Sequence, residues 1–186
     1  SISPPVGSVF HLEGLGPGPV ALSPGGGRVA YSARDADGIV RICVRNLNAV
    51  ESICLEGTDG AQYPFWSPDG NFLGFFTRAG ASLRVVPADG GAVRTVCPSR
   101  NGKGGSWNED GIIVFTPDSN TPIFAVPAEG GEPRQLTEFA EVRGDNSHRH
   151  PVFLPDGKRF LYMARSVRGS EANTVMVGSL DGSVDV

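Results

Sequence analysis

The sequence is short of what a helical, membrane-spanning or nucleic-acid-binding protein needs. No window places apolar residues at i, i+3, i+4 and i+7 between capping residues, so helices, and with them helical-repeat solenoids, are not expected. The stretch "EANTVMVGSL" instead alternates Thr174, Met176 and Gly178 against Val175, Val177 and Ser179, the period of a strand. No apolar run approaches the roughly 18 residues that signal a spanning helix, and "SISPPVGS" at the start has neither the charged nor the apolar region of a signal peptide, so direct membrane insertion is not expected. Positive charge is scarce: 16 Lys and Arg stand against 20 Asp and Glu, the net charge is −4, and no five basic residues cluster. A partner with a phosphate backbone would meet no attracting field, and nucleic acid is disfavoured. Cysteine is rarer still. Cys43, Cys54 and Cys97 are an odd number without CxxC spacing, which signals neither a disulfide framework nor a zinc site. Small buried thiols are the plain expectation. Cys43 and Cys54 flank the turn in "RICVRNLNAVESICL" symmetrically, so a cross-strand disulfide is the alternative if their geometry allows it. The first residue is Ser and not Met, as expected of a processed or excised piece.

What the chain does have is glycine and proline, 26 and 15 in 186 residues, too frequent for long helices and suited to many short strands joined by tight turns. An all-β fold follows. In "QYPFWSPDGNFLGFF", Pro68 presets φ for a turn, Asp69 can bond the backbone ahead of it, and Gly70 tolerates positive φ. The stretch recurs as "VALSPGGGRVAYSA", "GSWNEDGIIVFTPD" and "PVFLPDGKRFLYMA", with the turns opening at Ser23, Ser67, Asn108 and Leu154, spaced 44, 41 and 46 residues apart. A period in the forties is that of a propeller blade or a similar array. A second landmark follows each first one, "VRNLNAVESIC", "VVPADGGAVRTVC", "AVPAEGGEPRQL" and "VGSLDGSVDV", and reads as a second hairpin. Each unit is then two hairpins. In the second unit strands are expected at 63–66, 72–76, 82–86 and 93–96, and "TEFAEVRGDNSHRH" is expected to be a surface loop.

"FWSPDG" and "FLPDG" opening a blade, with "PADGG" and "PAEGG" before its last strand, resemble the WD40-like repeats of TolB-type β-propellers across about Ala21 to Gly182. More narrowly, "GTDGAQYPFWSPDG", "RNGKGGSWNEDGIIVF" and "SHRHPVFLPDGKRFLYMARS" resemble the propeller appended to many bacterial membrane-anchored serine/threonine protein kinases. The resemblance implies a propeller of four-stranded antiparallel blades at about 20–60, 62–102, 104–146 and 147–186, part of a ring of six to eight. It implies a non-catalytic binding module without a cofactor, in a periplasmic or other extracytoplasmic place, serving as the sensor or interaction part of a signalling protein. The alternative it carries is an accessory propeller that gates substrate entry to a prolyl-oligopeptidase-like serine peptidase. The chain departs from the pattern at Gly25, at Asn108-Glu109 and at Leu154, where turn chemistry still survives, and it has no kinase motif.

Catalytic constellations are missing: "GGS" at 104–106 does not match GxSxG, and the serines of the Ser-Pro-Asp-Gly turns are turn residues. "NGKGG" resembles a phosphate-cradling loop only in its glycines, because neither Ser nor Thr follows Lys103 and no helix opens after it. "HRH" at His148, Arg149 and His150 is the most suggestive cluster, though no carboxylate pair or Cys completes a metal set and "GDNSH" lacks calcium-loop spacing. By alignment His150 takes the place of Tyr63. The residues that just precede the inner strands, Gln62, Tyr63, Lys103, His148, Arg149 and His150, are therefore expected at the mouth of the central channel, where a protein, peptide or small ligand would be met. Trp66, Trp107 and Phe153 share a repeat position and are expected in the core between blades. Residues 8–15 are expected to form an extra outer strand of another blade. Val20, Leu22 and Met163 are expected on open blade faces that favour self-association.

Overall fold

A computed structural model describes residues 2–11 and 20–182. Four antiparallel sheets follow one another along the chain. Blade one contains β1 (Val9–Phe10), β2 (Ala21–Leu22), β3 (Arg28–Arg34), β4 (Val40–Asn46) and β5 (Ser52–Cys54). Blade two is β6 (Ala61–Trp66), β7 (Phe72–Thr77), β8 (Ser82–Pro87) and β9 (Arg94–Pro98), each within two residues of the strands expected from the sequence. Blade three is β10 (Gly105–Trp107), β11 (Ile112–Phe115), β12 (Phe124–Pro127) and β13 (Arg134–Gln135). Blade four has three strands among the described residues, β14 (Asp145–Phe153), β15 (Arg159–Ser166) and β16 (Thr174–Ser179), and the place of a fourth, after the turn at Asp181, lies outside them. Two single-turn 3-10 helices, at Glu141–Arg143 and Ser170–Ala172, are the helical elements among the described residues. The loop expected over 137–150 is half strand: β14 starts at Asp145 and pairs with β15 along most of its length.

The recurring turn closes as its chemistry requires. Ser67 and Phe72 bond through Ser67 N–H to the Phe72 carbonyl at 2.9 Å, Gly70 N–H returns to the Ser67 carbonyl at 2.9 Å, and Gly70 sits at φ 70°. The Ser67 hydroxyl donates to Asp69 and accepts the Phe72 N–H. At the variant third turn Asn108 substitutes for Ser by taking the Ile112 N–H on its side-chain oxygen at 2.8 Å, and its amide donates at 2.8 Å to the Gly157 carbonyl of the next blade. At the fourth, Asp156 accepts two backbone N–H groups and the Arg159 guanidinium, which together hold its carboxyl down to about 2.

Three dry seams join the blades face to face. Ile42, Trp66, Leu73 and Phe75 fill the first, Phe65, Phe76, Ile113 and Phe115 the second, and Val114, Ile123, Phe160 and Tyr162 the third. Trp66 is buried as expected, and its indole N–H bridges to the Ala21 carbonyl of blade one at 2.9 Å. Its repeat partners Trp107 and Phe153 are only half-buried: they pack against the second and third seams but also border the open gap between neighbouring turns.

The N-terminal segment corrects one expectation. Val9 and Phe10 do not extend an outer edge: β1 pairs with Arg34 and Ala33 of β3, on the same edge of β3 as β2, and so continues the inner edge of blade one. Phe10 packs edge-on to Tyr31 at 5.0 Å, above a fourth apolar cluster of Val29, Ala33 and Cys43. The remainder of the expected segment, 12–15, lies outside the described residues. Cys43 and Cys54 are paired across β4 and β5 and form a disulfide, so the alternative holds over the free-thiol reading, while Cys97 is a buried thiol. Val20 and Leu22 are exposed as expected, Met163 is half-buried, and blade four exposes Val152 and Val175 on its outward side.

Candidate functional site at the mouth of the inner strands

The inner strands β6, β10 and β14 lie side by side. At their starting end each has positive φ at the same repeat position. Tyr63 and His150 hold left-handed backbone at φ 51° and 53°, and Gly104, the equivalent residue of the blade between them, sits at φ 101°. In β6 and β14 this conformation accompanies a bulge, with register lost between Gln62 and Phe65 and between Arg149 and Val152. A bulged residue re-aims its side chain, and a non-glycine held left-handed costs about 1–2 kcal/mol that the surroundings must offset. The glycine of the middle blade is a packing requirement: a Cβ on Gly104 would lie 3.0 Å from the His150 Cα. With no side chain there, Tyr63 and His150 meet across it, ring centroids 5.6 Å apart. Below them a small recess of about 110 Å³ runs between the three strands. Gly102 is likewise fixed by packing, since a Cβ would enter the Phe76 ring at 2.1 Å, which accounts for the glycines of "NGKGG" without a phosphate.

Around this ring pair the structure gathers cations. The Lys103 ammonium stands 5.7 Å from the centre of the Tyr63 ring and donates at 2.9 Å to the Asn101 side-chain oxygen. Arg78, from the β7–β8 turn, donates to the same oxygen at 3.2 and 3.3 Å. The Asn101 amide passes on to the Ser119 hydroxyl, and Arg149 donates to the Ser119 carbonyl at 2.9 Å and to the Ser147 hydroxyl at 2.8 Å. Burial lowers the Lys103 pKa, and the charges of Arg149 and Arg78 lower it further against the opposing pull of Asp118. Packing against neighbouring strands likewise lowers the His150 pKa, helped by the charges of Arg149, Lys103 and Arg165, which favours the neutral imidazole although its edge is exposed. The Tyr63 phenol is pushed up by burial and stays a neutral donor.

Of the six residues expected here, five come together: Tyr63, Lys103, Arg149 and His150 in the contacts above, and Gln62 beside Tyr63 at the bulge. His148 does not join them. It is fully buried, wedged edge-on to Phe139 at 5.1 Å and tilted on Tyr162 at 4.7 Å. His148 Nε2 faces the ionised Asp145 carboxylate at 3.3 Å and so carries the ring proton, which leaves Nδ1 of the neutral ring to accept from the Thr137 hydroxyl at 2.8 Å; that hydroxyl also accepts the Ile123 N–H at 2.9 Å. Desolvation lowers the His148 pKa despite that carboxylate. Burial alone would raise the Asp145 pKa, but hydrogen bonds from Arg143, the Ala140 N–H and His148 outweigh it and the carboxyl stays ionised. A hydroxyl, an imidazole and a carboxylate in line have the makeup of a hydrolytic triad, but all three are sealed from solvent, where no substrate reaches the hydroxyl. The triplet is a clamp between blades three and four. Among the described residues no group of three or more His, Cys, Asp or Glu is placed to hold a metal ion.

Arg78 and Arg165 were missed, although a signal was there. Counting six residues on from the residue that closes each turn, Arg28, Phe72, Ile112 and Arg159, gives Arg34, Arg78, Asp118 and Arg165, a charged residue in every blade. At the opposite end of the inner strands the turns of the blades line a wider, open recess of about 600 Å³ between Pro24, Pro68, Trp107 and Asp156.

No protein-family model matches the chain, and no curated protein matches it. Solved structures do. TolB from Acinetobacter baumannii superposes with a TM-score of 0.70 at 16% identity, over 89% of this chain and 41% of that one. A TolB described as putative, from Agrobacterium tumefaciens, gives 0.69 at 17%, over 88% and 58%. The β-propeller domain of the trilobed protease from Pyrococcus furiosus gives 0.60 at 16%, over 89% and 55%. The chain thus spans about half the length of these structures, and at such identities the likeness establishes architecture alone: an all-β fold of the TolB-like propeller kind.

Proposed function

We propose that this chain is a non-catalytic binding module that receives a protein or peptide at the starting end of its inner strands. The observation that supports this reading most is the left-handed backbone of two non-glycine residues at one repeat position, Tyr63 and His150, a conformation that costs free energy and sets both rings side by side among the cations. The bulges break the pleat at Tyr63 and His150, whose rings meet across Gly104, so an extended ligand lying on them would contact several blades at once. Among the described residues no left-handed non-glycine residue lies in the turns of the opposite end, whose polar groups largely bond one another. In a larger signalling protein such a module would be the sensor or the protein-contacting part.

The test is to select peptides from a random displayed library against the pure chain and map the winner by chemical-shift change. Shifts are expected at Gln62, Tyr63, Lys103, Gly104 and His150. Shifts confined to the turns at 67–70 and 154–157 would overturn the reading.

An extracytoplasmic place is part of the same proposal, supported by the Cys43–Cys54 disulfide, a bond that reducing compartments do not maintain. Burial pushes the Cys97 thiol up to about 12, so chain isolated without reductant is expected to show one thiol, and only after unfolding. Three titrating thiols would remove that support.

A further inference from the structure

The mouth is positively charged in a protein that is negative overall. Arg78, Lys103, Arg149 and Arg165 stand around Tyr63 and His150, and the charge of Arg165 reaches both Arg149 and His150. One carboxylate, Asp118, is close enough to act on Lys103, and it already accepts the Ser119 N–H at 2.6 Å. The hydrogen-bond partners of Arg78 and Arg149 are neutral oxygens: the Asn101 amide for the first, the Ser119 carbonyl and the Ser147 hydroxyl for the second. No ion pair among the described residues involves Arg78, Arg149 or Arg165, whereas Arg28, Arg41, Arg143 and Arg159 each hold a carboxylate. Guanidinium groups left with neutral acceptors at one mouth, while others find acids elsewhere, form a local field that attracts negative charge.

Resting on the reading of this mouth as the binding site, we infer that its ligand is an acidic peptide segment, docked by carboxylates that join or replace Asn101 as acceptor for Arg78 and join the Ser119 and Ser147 oxygens as acceptors for Arg149, with the buried Lys103 ammonium behind Asn101 adding to the field. Two features favour carboxylates on an extended chain over a single compact anion. The cations come from blades two, three and four and are held at two acceptor positions, Arg78 and Lys103 on the Asn101 oxygen and Arg149 on Ser119 and Ser147, which successive carboxylates of an extended chain can take in turn. The acceptor that Arg78 and Lys103 already share is a planar amide oxygen, whose shape a carboxylate reproduces with added charge. Tyr63 and His150 supply a neutral aromatic floor between the cations, suited to the backbone and methylenes of such a segment.

The experiment titrates the labelled chain with hexaglutamate, hexaserine, hexalysine and inorganic phosphate, following the amides of Tyr63, Gly104 and His150. Hexaglutamate is expected to shift them, to lose affinity steeply as salt rises from about 0.05 to 0.5 M, and to bind about tenfold more weakly to Arg78→Gln and to Arg149→Met, the effect of one lost charge-assisted hydrogen bond. Arg78 is exposed on a turn, so its variant keeps the fold and carries the test if Arg149→Met does not. Hexaserine or hexalysine shifting these amides while hexaglutamate does not would overturn the acidic ligand and leave the binding mouth standing. Phosphate saturating them below the concentration of hexaglutamate would overturn the peptide in favour of a phosphate-bearing ligand. Shifts appearing only at the opposite turns would overturn the mouth itself.

Discussion

The two ends of the inner strands are built from the same repeat and differ in what their polar groups do. At the turn end, Asp69 and Asp156 spend their oxygens on the turn's own N–H groups and on Ser67 or Arg159, so each carboxylate is consumed in closing its hairpin. At the starting end, the guanidiniums of Arg78 and Arg149 rest on neutral oxygens, and two side chains are held on strained backbone to reach the same place. One end is acidic and self-satisfied; the other is basic and has acceptors to gain. A repeat sequence that fixes the fold through the first end is therefore free to vary at the second, which is where a ligand-specific surface can be built without cost to blade closure.

Both ends depend on the seams that hold the blades in register. Phe76 lies in the second seam, 1% exposed, between Phe65 at 6.2 Å and Phe115 at 6.4 Å, and its ring presses on the Gly102 backbone that leads into Lys103. Phe76→Ala is expected to cost about 3–5 kcal/mol in urea unfolding, the range for a large buried ring. It should also loosen the mouth more than the turns, seen as faster amide exchange at 102–104 than at 67–70. Equal loosening of both ends would mean that they are not separately supported.

His148 and His150 sharpen the comparison inside one strand. Strict alternation puts residues two apart on the same face, yet His148 is sealed in the third seam and His150 is exposed at the mouth. The bulge between Arg149 and Val152, with His150 left-handed, breaks the alternation. This is why "HRH" was legible as a strand lead-in but not as two separate roles: the repeat alignment reveals equivalence with Tyr63, while the bulge depends on pairing with β15, which no local pattern encodes. The blade turns were legible for the opposite reason, since Ser-Pro-Asp-Gly carries its own backbone and hydrogen-bond instructions within four residues.

His148→Ala is expected to cost about 3 kcal/mol, since it opens a cavity and strips partners from the buried Thr137 and Asp145. In the parent chain the lowered His148 pKa means that the folded state prefers the neutral ring. That contribution is complete above the unfolded value of about 6.5 and is lost as pH falls through it toward the folded value. His148→Gln should reduce the loss of stability as pH falls below about 6.5, leaving the part that His150, whose pKa is also lowered, contributes. A variant that kept the parent's slope would assign the slope to other groups.

Trp107 tests the turn end. As a half-buried ring that contacts Phe72 at 6.4 Å, it is expected to contribute less than a core tryptophan, and Trp107→Ala should cost about 2 kcal/mol, near half the range for full burial. A loss as large as that of Phe76→Ala would show that the turn end is packed as a seam, and the contrast between the ends would narrow.

The smallest expected change in stability, and the most informative in function, is His150→Gly. Glycine adopts the φ of 53° without strain, a gain of about 1 kcal/mol that its extra freedom in the unfolded chain largely offsets. The ring contact to Tyr63 at 5.6 Å is lost, but the His150 N–H still donates to the Lys103 carbonyl at 2.9 Å, so the bulge and the pairing of blade four with blade three persist. The net shift in unfolding free energy is expected to stay within about 1 kcal/mol. Affinity for a mouth-binding peptide, in contrast, should fall, because half of the aromatic floor is gone while the cations remain. If His150→Gly stabilised the chain and left peptide binding intact, the left-handed side chain would be strain without a use, and the distinction between the two ends would reduce to charge.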